Sequence, residues 1–159
     1  MLTKSFLIPA TDTMLNQAIG EELHASQLYR HLANRCQRLG LFGAQKFFKD
    51  ESSEELEHYQ KIVDFINDRG SVADTPTIEA IEETVGSLES ALTSAYNAEV
   101  ELGNKYSEWY STTEDPVISQ FLLQFIEIQR KSIGFYADLL QRLSLGGDIL
   151  VFDSELGTL

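Results

Sequence analysis

The sequence predicts an all-α protein: a four-helix bundle with one long crossover and a short C-terminal helix. Two observations carry most of that prediction. Apolar residues recur at alternating steps of three and four through four long segments, the spacing that lines one face of a helix. The three prolines, at 9, 76 and 116, fall where an element begins or a connection runs, while Gly40, Gly70 and Gly146-Gly147 punctuate the segments.

The first helix is expected from about Thr11 to Leu39, with Thr11 or Asp12 as N-cap and Gly40 as its stop. The second runs from about Phe42 to Arg69 and stops at Gly70. A polar stretch, 71–83, contains Asp74-Thr75-Pro76 and shows no helical period. The third helix spans about Val85 to Thr112. The fourth spans about Asp115 to Ser144, where Asp115-Pro116 is an N-cap followed by proline in the first turn. A last short helix is expected over about 148–157. Each long helix, at roughly 28 residues, would extend about 42 Å, and such matched lengths suit side-by-side packing. Short turns make the first and second helices antiparallel neighbours, and likewise the third and fourth. The connection between the two pairs, about 14 residues, is long enough to cross the length of a bundle.

The 159 residues are expected to form one domain over 1–159, and 43% apolar content supplies an ordinary core. A formal charge of −13 argues against nucleic acid and against an anionic membrane as partners, and suits a protein that handles cations. Cys36 is the sole cysteine, which rules out an intrachain disulfide and a thiolate metal cluster and points to a reducing, cytoplasmic setting. Met1 to Pro9 is too short for a secretory leader, and no apolar run approaches a membrane span.

Polar residues interrupt every apolar stripe. The first reads Leu15, Ala18, Glu22, Ala25, Tyr29, Leu32, Cys36, Leu39; the second Phe48, Glu51, Glu55, His58, Ile62, Phe65. The third reads Leu88, Leu92, Ala95, Glu99, Leu102, Tyr106, Trp109; the fourth Ile118, Leu122, Phe125, Gln129, Ser132, Tyr136, Leu139, Leu143. In antiparallel helices the midpoints lie at one level, so Glu22, Glu55, His58, Glu99 and Gln129 should converge. Buried carboxylates at one level repel, and each is costly to desolvate; bound cations remove both difficulties. Glu55 and His58 form Glu-x-x-His, whose spacing puts both side chains on one face. Oxygen and imidazole donors without thiolate suit iron or manganese, with zinc as competitor. Inward glutamates from separate helices with Glu-x-x-His form the di-iron carboxylate arrangement of helical bundles, and a hydrogen-bonded polar core is the alternative. Tyr29 reads equally as a core aromatic with a bonded hydroxyl and as a group acting beside the metals. His24 and His31 lie off the stripe, and Glu127 with Arg130 reads as an outward ion pair.

These residues resemble the ferritin family, in particular the non-haem bacterial type, over nearly the whole chain. Glu-Leu-His-Ala-Ser-Gln-Leu-Tyr (22–29) is similar to the family's ferroxidase segment on the first helix, and Glu54-Glu55-Leu56-Glu57-His58 to its motif on the second. Asn67-Asp68-Arg69-Gly70, Ala95-Tyr96-Asn97-Ala98-Glu99, Gln129 and Phe152-Asp153-Ser154-Glu155-Leu156 match as well. The resemblance implies an iron-storage protein: a homo-oligomeric cage of about 24 subunits that oxidises Fe(II) with dioxygen and deposits hydrated ferric oxide. It implies Glu22 and His58 on a first iron, Glu55 bridging, Glu99 and Gln129 on a second, and Tyr29 as the nearby catalytic tyrosine. Glu54 and Glu57 match acidic positions used for iron transit or nucleation. Haem is not expected, since the haem-binding relatives carry methionine where Leu56 stands. Ile128 and Ser132 stand where many relatives add a third iron site, and Gln120 and Gln124 where acids line an entry channel. The competing readings are a structural cage subunit with an impaired di-iron site and a rubrerythrin-like di-iron peroxidase. The latter needs a second inward Glu-x-x-His, and on the fourth helix Glu127 is followed three residues on by Arg130 in place of the histidine.

Overall fold

The structure, a computed structural model, describes residues 4–159; among them every regular element is a helix. In chain order these are α1 (Pro9–Arg38), α2 (Phe42–Asp68), α3 (Leu88–Thr112), α4 (Pro116–Ser144) and α5 (Ile149–Leu156).

Local chemistry sets their ends. α1 starts before Thr11 and Asp12, the expected caps, because Pro9 is well suited to a first helical position: it has no N–H to leave unsatisfied. Asp12 instead lies in the first turn, its backbone N–H on Ile8 O at 3.0 Å. α1 and α2 stop as expected, at Gly40 (φ 78°) and Gly70 (φ 82°), left-handed positions that glycine adopts without strain. There Leu41 N–H reaches back to Cys36 O at 2.9 Å and Ser71 N–H to Ile66 O at 3.1 Å, closing both last turns. α3 begins later than Val85, at a reciprocal cap. Ser87 Oγ accepts from Ser90 N–H at 3.1 Å, and Ser90 Oγ accepts from Ser87 N–H at 3.0 Å. Asp115 and Asp148 cap α4 and α5, accepting from Val117 N–H and Leu150 N–H, each at 2.8 Å.

The described residues gather into two compact units. The first holds the chain up to His31 together with Phe48–Glu82. Within it α1 and α2 run antiparallel: going up α1, Glu22, Ser26 and Tyr29 meet His58, Ser52 and Phe48, going down α2. Leu15, Ala18, Ile19, Ile62 and Ile66 are fully buried here. The expected α2 stripe drifts: Phe65 is half-buried and Ile66 takes its place. Phe48 and Ile66 are five turns apart in a helix of 3.6 residues per turn, whereas alternating steps of three and four average 3.5 and fall behind. After α2 the crossover doubles back over the start of α1. Ser71 Oγ–H donates to Asp12 Oδ1 at 2.9 Å, and Asp74 N–H donates to Asn16 Oδ1 at 2.7 Å.

The second unit holds Leu32–Phe47 and Glu83–Leu159. α3 and α4 are antiparallel, with Glu99 meeting Gln129 and Tyr106 stacked on Phe125 at 5.1 Å between ring centroids. Trp109 packs edge-on against Tyr106 at 5.3 Å. Leu39, expected on the buried stripe, lies past the last residue of α1 and is 41% exposed. α5 seats on the N-terminus of α2. Its buried Asp153 accepts from Gly43 N–H at 3.0 Å and Ala44 N–H at 2.7 Å.

Candidate metal centre

On α1 and α2, Glu22, Glu55 and His58 come together in the first unit. Both carboxylates are buried, and one donor atom from each residue lies within 4.8 Å of the other two. His58 Nδ1 is 3.0 Å from Glu55 Oε2 and 3.7 Å from Glu22 Oε2. The i, i+3 spacing on α2 places Glu55 and His58 side by side, and the antiparallel α1 brings Glu22 across. Burial alone would lower the imidazole's pKa. The carboxylates of Glu22 and Glu55 that face the ring N–H, and then their charges, outweigh it and hold His58 up at about 10. At neutral pH the imidazole is therefore a cation between two carboxylates. A divalent metal taking this place displaces the proton, since only neutral imidazole can coordinate.

In the second unit Glu99 and Gln129 pair across α3 and α4, both buried. Gln129 Nε2 donates to the Glu99 carboxylate in a short contact and lies 3.3 Å from the Glu99 backbone oxygen. That leaves Gln129 Oε1 buried, with no hydrogen-bond partner among the described residues. An amide oxygen so placed can serve as a neutral ligand to a hard cation.

The other expected residues separate clearly. Tyr29 is completely buried, its ring stacked on Phe48 at 6.1 Å. Glu54 and Glu57 flank Glu55 on exposed positions. His24 is exposed and His31 half-buried. Glu127 and Arg130 form the expected surface pair at 2.7 and 2.9 Å. Ile128 and Ser132 are half-buried, and Gln120 and Gln124 exposed.

Sequence reasoning missed a buried pair beside the cluster. Ser26 Oγ–H donates to Ser52 O at 2.8 Å, and Ser52 Oγ–H donates to Ser26 O at 2.8 Å. The available signal was spacing: Ser26 follows Glu22 by four residues and Ser52 precedes Glu55 by three, so each shares its glutamate's helix face.

All-α architecture carrying a buried carboxylate–imidazole cluster on an antiparallel helix pair defines a class, the helical-bundle metal proteins. Comparison with known proteins narrows it. The family model for the ferritin-like domain matches residues 13–146. A Haemophilus influenzae protein described as a probable bacterial non-heme ferritin-like protein is 27% identical, over 92% of this chain and 93% of its own. The ferritin of Pacifastacus leniusculus is 33% identical over 89% of this chain and 84% of its own. A crystal structure described as a novel open pore ferritin, from the archaeon Archaeoglobus fulgidus, superposes with a TM-score of 0.91. At 24% identity it covers 95% of this chain and 98% of that one, and it shows the fold: a four-helix bundle with a short C-terminal helix. The chain belongs to the ferritin family, and among its relatives are non-haem bacterial ferritins.

Proposed function

We propose that this chain is an iron-storage subunit with ferroxidase activity, whose substrates are Fe(II) and dioxygen. Glu22 and His58 bind one Fe(II), Glu55 bridges, and Glu99 with Gln129 binds a second. Tyr29 stands beside them as a redox-active phenol, and Glu54 and Glu57 take iron onward. Each iron gives up one electron, dioxygen takes the pair with two protons and leaves as hydrogen peroxide, and the ferric product collects as hydrated oxide inside a homo-oligomeric cage of about 24 subunits. The reading places the protein in the cytoplasm; among the described residues no helix is long and apolar enough to cross a membrane.

The observation that carries this proposal is the buried Glu22–Glu55–His58 cluster in a chain of the ferritin family. Fixed carboxylate oxygens favour the more highly charged Fe(III) over Fe(II), which biases the site toward oxidation. The test is aerobic oxidation by the metal-free assembled protein, loaded with two Fe(II) per subunit, beside Glu55→Ala. A fast phase that saturates near that loading and disappears in the variant is expected. Oxidation no faster than in buffer, from protein that still assembles, favours the impaired cage subunit instead.

A further inference from the structure

The metal ligands of the first unit sit on two helices and are joined across the pair by His58, whose Nδ1 is 3.7 Å from Glu22 Oε2. That distance is long for a hydrogen bond, so the contact is a loose constraint on sliding of α1 along α2. One turn along, the two helices are tied by the reciprocal serine pair. Each hydroxyl donates to the other residue's backbone carbonyl at 2.8 Å, and the two Oγ atoms stand 3.0 Å apart. Serine is among the shortest hydroxyl side chains, so these bonds require a close backbone approach. A hydrogen bond weakens steeply once stretched past about 3.2 Å, so a small slide of α1 along α2 breaks both together. The pair is buried, at 6% and 2% exposure, so a slide would leave its polar groups unpaired away from the surface.

We propose that Ser26 and Ser52 are positioning residues for metal capture: a pin that sets the register of α1 on α2 and so holds Glu22 opposite Glu55 and His58. The inference rests on the reading of that cluster as a metal site. The pin touches no ligand atom and acts through the backbone alone. It keeps the donors preassembled, so binding does not have to draw the two helices into line.

Co(II) is the probe, because its visible d–d spectrum reports coordination and it does not oxidise under the conditions of a titration. The full-length, metal-free protein is titrated beside Ser26→Ala/Ser52→Ala, Glu55→Ala and Ile66→Val. Ile66→Val trims the core of the same helix pair two turns beyond His58 and serves as the stability control. The double serine variant is expected to bind Co(II) about ten-fold more weakly, as losing bonds of this kind would give. Its d–d band should also change shape, reporting an altered ligand geometry, while Ile66→Val with a comparable fall in Tm keeps the parent affinity and band. A double variant with unchanged affinity and band overturns the proposal, as does an equal loss of affinity in Ile66→Val. Should the double variant not fold, Ser52→Ala alone carries the test, with about a three-fold loss expected from one bond. Parent protein that binds Co(II) no better than Glu55→Ala overturns the metal-site reading itself, an outcome separate from failure of the pin.

Discussion

Cys36 is fully buried, and burial, reinforced by the charge of Asp153, pushes its thiol up to about 12 from an ordinary 9.0. The nucleophile is the thiolate, so a thiol kept neutral and covered resists both alkylation and oxidation. Native protein at pH 8 should take up almost no iodoacetamide, and unfolded protein one equivalent, as read by intact mass. Quantitative labelling without denaturant would contradict this account. The sign for stability follows from the same shift. Below pH 9 the thiol is neutral in both states and contributes no pH dependence. Between 9 and about 12 the unfolded chain sheds a proton that the folded chain retains, so stability falls as pH rises through that window. The same scale explains what the sequence disclosed of the site. Glu22, Glu55 and His58 stood out because charged residues on apolar stripes are rare and demand partners. Ser26 and Ser52 did not, because the stripes read from the sequence run beside them through Ala25 and Glu51, and a serine's partner is chosen by a register that only packing reveals.

At the scale of the element, α5 is the informative case. Leu41 precedes α2 and offers no side-chain acceptor, so the first N–H groups of that helix depend on Asp153. The contact is close: a Cβ on Gly43 would lie 1.9 Å from Asp153 O, and one on Gly157 would lie 2.8 Å from Gly43 Cα. Asp153→Ala removes the cap and should cost about 1–2 kcal/mol in chemical denaturation, with Asp153→Asn losing less because one acceptor remains. Gly43→Ala has no room for its methyl and should lift α5 off α2. Hydrogen exchange checks both, since amides over Ile149–Leu156 should lose protection in Asp153→Ala and Gly43→Ala while those of α3 do not. Unchanged protection in α5 would mean that other contacts seat it. The four long helices and the stops of α1 and α2 were readable because periodicity and glycine are local signals. α3 starts past the expected Val85 because its capping box closes with Ser90, where a glutamate or glutamine is the usual marker. The cap from Asp153 was unreadable because donor and acceptor lie more than a hundred residues apart in the chain.

At the scale of the whole molecule, charge dominates. A formal −13 on 159 residues gives each copy a field that draws cations in from solution and is screened by salt. Initial Fe(II) uptake by the assembled protein should slow several-fold between about 20 mM and 500 mM NaCl, as the Debye length shrinks from roughly 20 Å to 4 Å. Stopped-flow absorbance measures this directly, and a rate indifferent to salt would place recognition wholly in short-range coordination.

The bond from Asp153 to Gly43 and Ala44 also has a temporal side. Synthesis is vectorial, and the ties of α1 to α2 at Ser26–Ser52 and to the crossover at Ser71–Asp12 and Asp74–Asn16 all lie among residues up to 74. They can form while translation continues. The leading end of α2 has to wait, its amides bonded to water, until residue 153 emerges from the ribosome, so a segment made more than a hundred residues later closes a helix begun early.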